Sequence, residues 1–394
     1  MSGSVVYATQ SSRDMPWVFR SHFLFKGSRN QLTQLQQRKP NPLTLFVVIL
    51  IGCSGIAILP AIAENYTGDF LTNGVGGRAL GLGGAYVSIA DDATATYWNP
   101  AGIAGVSDNY QFCLMHAARR SGLGAFNYIS GTKQILPKLN LGLSWIRAGV
   151  DDIPIYPLIP AFDPNISADE RRNVAKNRPR ESDFTPAGYL NDSENAYILT
   201  LATGWVVSQS WWDNFGRDSL PPEFMVGLNA KWISQRLNGG DLDLYNYSSW
   251  GYGFDAGLLI RLPDFNALFG LENFGGMSFG INLQDISKTT LTWNTLSAPK
   301  ESIPANWNIG VAYSHDRVFN RKLIFSYQWQ QRYGGQSHLG VEYQISTPLA
   351  LRIGYRDNRL TSGIGIHVRQ FRLDYALLFG DLISTHFLSL LWNF

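Results

Sequence analysis

From residue 108 onward, apolar and polar positions alternate with a period of two. Leu323, Phe325, Tyr327 and Trp329 alternate with Ile324, Ser326, Gln328 and Gln330. Met277, Phe279, Ile281 and Leu283 alternate with Ser278, Gly280, Asn282 and Gln284. The pattern predicts fourteen strands: 109–118, 123–132, 139–148, 194–205, 223–237, 250–262, 274–286, 305–314, 320–331, 336–345, 349–357, 360–368, 370–379 and 384–394. Most are about 9–13 residues long, enough for a tilted strand to cross a bilayer.

One face of these segments is apolar, with aromatics such as Tyr252, Trp307, Tyr313, Trp329, Tyr355 and Trp392 toward strand ends. The other carries Gly, Ser, Asn and Gln with Lys231, Asp255, Arg261, Glu342, Arg352, Arg356, His367, Arg369, Arg372 and Asp374. A sandwich would bury the apolar face against a second sheet. No amphipathic helix supplies a cover, whereas lipid would, and a closed barrel pairs every strand edge as lipid requires. The expected fold is all-β, a fourteen-stranded antiparallel transmembrane β-barrel in the bacterial outer membrane. A charge on lipid-facing Leu351 should then be tolerated less well than Arg352→Glu on the inward face. The longer gaps 149–193, 238–249 and 287–304 fall on the outer side, with 206–222 and 263–273 as longish periplasmic turns.

Composition agrees. Charged residues make up 16% of the chain, against about 25% in soluble domains. Residues 1–63 hold six basic groups and one acid, so no basic field is left elsewhere to suggest nucleic acid. Cys53 and Cys113 are the two cysteines, too few for a disulfide framework or a Cys-rich metal site. The histidines are scattered, with no metal spacing, no catalytic motif and no cofactor fingerprint. No enzyme activity is expected.

Residues 43–63, LTLFVVILIGCSGIAILPAIA, follow Arg38 and Lys39 and end in Ala61-Ile62-Ala63. They read as a secretory signal cleaved after Ala63. An uncleaved anchor and a lipobox at Leu50–Cys53 are the alternatives. Residues 1–63 are thus an extension plus signal peptide, 64–107 a separate inner segment, and 108–394 the barrel.

The segment 64–107 is dominated by Gly, Ala, Ser and Thr, which lets it lie close to other backbone inside a lumen. Gly74, Gly76 and Ala79 match a dinucleotide pattern, but no strand precedes them. GVGGRALGLGGAYVSIADDATATYWNPAGIA, Gly74–Ala104, resembles the amino-terminal signature of the PorV/PorQ family of outer-membrane proteins, and Asn99-Pro100-Ala101 is similar to the hatch motif of FadL-type barrels. The resemblance implies fourteen strands, an amino-terminal plug and a role in handling secreted protein cargo or serving as a component of the type IX secretion system. The alternative it implies is a FadL-type channel for long-chain fatty acids or other hydrophobic small molecules.

Within the plug, Asp91 and Asp92 need partners, because an unpaired buried carboxylate is costly. Arg352, Arg356, Arg369 and Arg372 on the inward face, with Asp374 beside them, are the expected contacts, and Arg78 is a further plug-to-wall candidate. Asn99 before Pro100 favours a turn. Tyr97 and Trp98 form either an apolar patch for a ligand or part of the plug's own core. In the outer loop, Ser167 and Glu170 form a capping-box pattern opening a helix near 168–177, with a basic cluster of Arg171, Arg172, Lys176, Arg178 and Arg180. Leu388, Leu390, Trp392 and Phe394 share one face, and an aromatic closing such a strand is similar to the signal read by the outer-membrane assembly machinery. Trp392 and Phe394 are the expected assembly residues. The expected partners are outer-membrane lipid, protein cargo or secretion subunits, or a hydrophobic ligand.

Overall fold

The computed structural model describes residues 68–106, 110–119, 124–155, 188–214, 220–239, 245–264, 275–318, 320–380 and 384–394, with single positions 167, 169, 172 and 186. The leader with its cleavage site, Cys53, Phe215, and all of the outer-loop helix and basic cluster except two single positions lie outside the described residues.

The alternating segments form β1 (Tyr110–Arg119), β2 (Ala125–Leu136), β3 (Leu139–Ile155), β4 (Gly188–Val206), β5 (Glu223–Gly239), β6 (Tyr245–Leu262), β7 (Gly276–Gln284), β8 (Thr289–Trp293), β9 (Lys300–Ile303), β10 (Asn306–Val318), β11 (Arg321–Gln330), β12 (Gln336–Ser346), β13 (Leu349–Arg356), β14 (Arg359–Val368), β15 (Phe371–Leu378) and β16 (Thr385–Asn393). Fourteen of them, all but β8 and β9, pair with their neighbours in an antiparallel ring that closes between β1 and β16. Each expected strand is present. The chain is a fourteen-stranded antiparallel outer-membrane β-barrel.

Two details differ from the expectation. β3 and β4 stay paired to Ile155 and Gly188, well into the stretch read as loop. Residues 287–304 hold the hairpin β8–β9, which extends the wall from Ser249 and Trp250 of β6. Together β3–β6 and this hairpin raise one side of the outer rim.

Orientation follows from turn length, since outer-membrane barrels keep short turns periplasmic. Four of the five two-residue hairpin turns, those after β2, β10, β12 and β14, share one end, whereas the longest connections, after β3 and from β7 to β10, leave from the other end together with the short turn after β13. The end with the four short turns is periplasmic, and the other is the outer mouth.

Outward aromatics form two belts, as expected where amphipathic rings meet membrane interfaces. Tyr110, Phe112, Trp205, Phe224, Phe371, Trp392 and Phe394 ring the periplasmic end. Tyr197, Trp232, Tyr252, Trp307 and Tyr355 ring the outer side. Tyr313 departs from this pattern, being buried at 2% exposure although it falls on the outward alternation.

Inside the barrel lies the segment from Gly68 to Val106. It folds into a 3-10 turn, Asp69–Thr72, short helices Gly77–Gly81 and Ala95–Trp98, and a second 3-10 turn, Pro100–Gly105. It starts at the outer mouth beside Arg356 and ends at the periplasmic end, where Asn140 of β3 donates to the carbonyls of Ile103 and Val106. Most of it is buried, and the barrel's core is the contact between this plug and the wall.

Candidate functional site

The plug is seated against glycines. Gly227 of β5 lies opposite Gly257 of β6, Gly280 of β7 opposite Gly310 of β10, and Gly340 of β12 opposite Gly354 of β13. A Cβ on Gly227 would enter the Pro100–Ala101 backbone, and one on Gly257 would enter the Asn99 side chain. The Gly280 position presses on Val87 and Ser88, and Gly340 and Gly354 press on Leu82 and Gly83. Three paired gaps in the wall thus receive three turns of the plug. The high glycine count of the inward face has this physical cause.

Asn99 fixes one of those turns. Its Oδ1 accepts from the Ala101 N–H at 3.2 Å, capping the 3-10 turn that opens with Pro100. Its Nδ2 donates to Val87 O at 2.8 Å and to Leu258 O of β6 at 3.1 Å. Tyr97 and Trp98 meet edge-to-face at 5.0 Å and are buried; the indole donates to Val75 O at 2.8 Å and the phenol to Leu71 O. Both rings belong to the same buried apolar cluster as Phe70, Leu80, Leu82 and Ile103 of the plug.

A charged latch joins the plug to β12, β13 and β15. Arg78 donates to both oxygens of Glu342, at 2.9 and 3.0 Å, and to Asp91 at 2.6 Å. Glu342 also accepts from Arg352 at 2.6 Å, directly across the β12–β13 pair. The Arg352 guanidinium reaches Asp374 of β15 at 2.8 Å. It does so over Gly365 of β14, where a Cβ would meet the guanidinium at 2.5 Å. Arg372 donates to Asp374 at 2.8 Å and pairs with Asp92. Asp92 is further held by the Thr94 N–H at 3.0 Å and the Tyr86 hydroxyl at 3.0 Å. Three arginines and four carboxylates satisfy one another here, which is what buried charge demands. All are largely buried except the Asp91 side chain, 41% exposed.

The two aspartates therefore have different partners: Asp92 reaches the wall, and Asp91 meets Arg78 within the plug. Arg356 lies apart from the latch, donating to Asn73 O at 3.2 Å and to Thr72 O. Arg369 requires a correction. β14 ends at Val368, so Arg369 sits exposed in the two-residue turn with φ 55°, away from the plug.

A second charged cluster sits under β5–β7. Lys231 lies 2.7 Å from both Asp255 and Asp285, and Arg332 is 3.7 Å from Asp285. Asn229 ties this cluster to the plug by donating to Asp255 at 3.0 Å and to Thr96 O at 2.8 Å. Asp285, Arg332 and Tyr86 escaped the sequence reading because they lie at strand ends or inside the plug, where alternation carries no information.

Beside Tyr97 the plug leaves two voids of about 10 Å³ each, room for about one water apiece. A larger cavity of about 720 Å³ opens at the outer mouth, between plug residues Asp69–Asn73 and the ends of β1–β4 and β13–β16. Part of its inward wall is an apolar row: Phe387, Ala117, Phe126 and Ala148 are consecutive cross-strand neighbours. Phe70 of the plug and Leu378 complete this lining. At its edge stand Asp69, Asp192, Glu194 and Asp357 with Arg356 and Arg359. Among the described residues no group of three or more His, Cys, Asp or Glu could hold a metal.

No family model and no curated protein sequence matches the chain. Similar solved structures include the Ralstonia pickettii toluene transporter TbuX, 12% identical with a TM-score of 0.49 over 82% of this chain and 98% of that one. The P. putida toluene transporter TodX is 13% identical, with a TM-score of 0.48 over 82% of this chain and 99% of that one. A Pseudomonas aeruginosa FadL homologue is 12% identical, with a TM-score of 0.42 over 86% of this chain and 100% of its own. The closed ring of strands, its apolar exterior and its two aromatic belts identify a protein of the bacterial outer membrane.

Proposed function

We propose that this barrel is a non-enzymatic channel that admits an apolar small molecule through its outer mouth. The observation that carries this reading is the apolar row Phe387–Ala117–Phe126–Ala148 facing inward beside Phe70, in a cavity of about 720 Å³ between plug and wall. The cavity's size lies within the roughly 300–1,000 Å³ usual for a small-molecule site. The rim sets the class of ligand. Arg356 is engaged by Asp357 at 3.0 Å and by two plug carbonyls, and among the described residues lining the cavity Arg359 is the other cation, beside the acids Asp69, Asp192 and Glu194. An uncharged hydrophobic compound fits this rim better than a fatty-acid anion. Passage onward requires Asp69–Asn73 to leave the Arg356 contact, because the plug fills the barrel below.

The test is binding of a neutral naphthylamine dye and of an anionic naphthalenesulfonate dye to the purified barrel. The neutral dye should bind and the anionic dye should not. Phe126→Gln with Phe387→Gln should weaken the neutral dye about tenfold or more, the scale expected when two buried rings lose their contacts. Equal binding of both dyes, or no effect of the double substitution, would refute the reading.

The raised rim supports a second reading, a PorV/PorQ-like component that handles secreted protein. β3–β6 and the β8–β9 hairpin expose Tyr189, Tyr247, Trp250 and Leu296 beyond the outer belt. On this reading Trp250→Ser abolishes capture of a secreted protein at the cell surface while dye binding is unchanged.

A further inference from the structure

The lipid-facing wall of β1–β6 carries a groove of about 780 Å³. The register explains it. Phe112, Gly131, Leu143, Leu199, Ala230 and Phe254 are successive cross-strand neighbours, all on the outward face. Gly131 and Ala230 make this row shallow, while Phe112 and Phe254 bound it on both sides. In the next row toward the outer mouth, Trp145, Tyr197, Trp232 and Tyr252 are also consecutive neighbours, and the first three stack with centroids 6.3 and 5.3 Å apart. These rings form an eave over the shallow row.

At its periplasmic foot the groove ends on Tyr110 and Lys133, with the Lys133 ammonium 4.7 Å from the Tyr110 ring centre. Lys138, exposed in the turn after β2, stands at the same end. The acid at the start of β5, Glu223, faces Arg261 at 3.8 Å on the inward side and does not neutralise these lysines. The groove is thus apolar along its length and cationic at the periplasmic interface. A second barrel would present a convex wall, which cannot enter a concavity under an aromatic eave. A flexible chain can.

We infer that the groove is a binding site for an anionic phospholipid of the periplasmic leaflet, with an acyl chain under the Trp145–Tyr252 eave and its headgroup at Lys133 and Lys138. Basic residues beside a membrane-spanning wall attract anionic headgroups in this way. The inference is independent of what passes through the outer mouth.

The experiment is native mass spectrometry of the full barrel released from nanodiscs of phosphatidylethanolamine with a minority of phosphatidylglycerol. The parent should retain a lipid enriched in phosphatidylglycerol over the nanodisc ratio, by about fivefold for each lysine engaged. Lys133→Gln with Lys138→Gln should return the retained lipid to the nanodisc ratio. Ala230→Trp fills the shallow row and should remove the retained lipid. Gly131→Leu gives a second filled groove, its added carbon meeting the Phe112 ring at 3.0 Å. Heat-modifiable mobility identifies which of the two variants is folded and read. Lipid retained at the nanodisc ratio by the parent, retention unchanged in a folded filled-groove variant, or loss of a second barrel copy instead of lipid would each overturn the assignment.

Discussion

Gly227 and Gly257 face each other across β5 and β6, and the Asn99–Pro100–Ala101 turn lies directly on both. The plug's best-defined motif and the wall's smallest residues are two halves of one contact. Neither glycine is required by its backbone conformation; the requirement is space.

Gly257→Val should therefore unseat the plug without opening the barrel. The added carbons enter the Asn99 side chain and come within 2.8 Å of Pro100, and overpacking of this kind costs about 1–3 kcal/mol. Heat-modifiable mobility should persist, while single-channel conductance in planar bilayers should rise from low and quiet to larger or flickering. Parent-like conductance would show that the turn can move aside at no cost.

The latch predicts an asymmetry between adjacent aspartates. Asp92→Asn strands Arg372 of one partner in a buried site, although Asp374 still accepts from it at 2.8 Å. Loss of one side of a buried pair is worth about 3–5 kcal/mol, and the retained Asp374 places the effect toward the lower end. Asp91→Asn should do far less, about 0–1 kcal/mol, because its side chain is 41% exposed and Arg78 keeps Glu342. Conductance noise and protease sensitivity of the plug should follow the order Asp92→Asn, then Asp91→Asn, then parent. The reverse order would assign the latch to the wrong carboxylate.

Much of the architecture is legible in the sequence because lipid enforces alternation. Where lipid ends, the signal ends with it. Residues 149–155 and 188–193 read as loop because Asp151, Asp152, Pro154, Asn191 and Asp192 break the apolar face, yet the hydrogen-bonded ladder continues past a bulge at Val150–Ile153. The latch is half legible. The need of Asp91 and Asp92 for arginines follows from charge burial alone. Which aspartate meets which arginine depends on the register of β12–β15 and on the fold of the plug, and neither is written locally. Arg369 shows the limit from the other side: it falls just past the end of the strand at Val368, where alternation no longer tells an inward charge from a turn residue.

A pair of neighbours on β13 tests both faces at once. Leu351 is 45% exposed on the lipid side, and Leu351→Arg should cost about 2–4 kcal/mol near the midplane. The sequence alone favours Arg352→Glu as the milder change. The structure reverses that expectation, because the new carboxylate would face Glu342 and Asp374 in a filled interior. Arg352→Glu should cost at least about 3–5 kcal/mol. The two should also fail differently. Leu351→Arg should lower the yield of inserted barrel, whereas Arg352→Glu should leave insertion nearer normal and raise conductance. A shared phenotype would mean that plug and wall fold as one cooperative unit.

The seam between β1 and β16 gives the last prediction. Tyr110 and Phe394 exchange both backbone hydrogen bonds, at 2.9 and 3.0 Å, and their rings stack at 5.2 Å. Phe394 also contacts Phe112 at 5.6 Å and Trp392 at 4.5 Å, so it is the centre of an aromatic cluster over the closing strands. Phe394→Ala keeps the ladder and removes the rings' mutual contacts, worth about 0.5–1.5 kcal/mol per aromatic pair beyond the area buried. Phe394→Pro additionally removes the N–H that Tyr110 O accepts, a further loss of about 0.5–1.5 kcal/mol. The temperature at which heat-modifiable mobility is lost should fall in the order parent, Phe394→Ala, Phe394→Pro. A role in assembly predicts something separate: at equal synthesis, Phe394→Ala should already lower the amount of folded barrel in the outer membrane, by more than its melting shift accounts for. If yield tracks melting alone across the series, Phe394 is a seam residue and no more; if yield collapses while melting barely moves, the side chain is recognised before the seam closes.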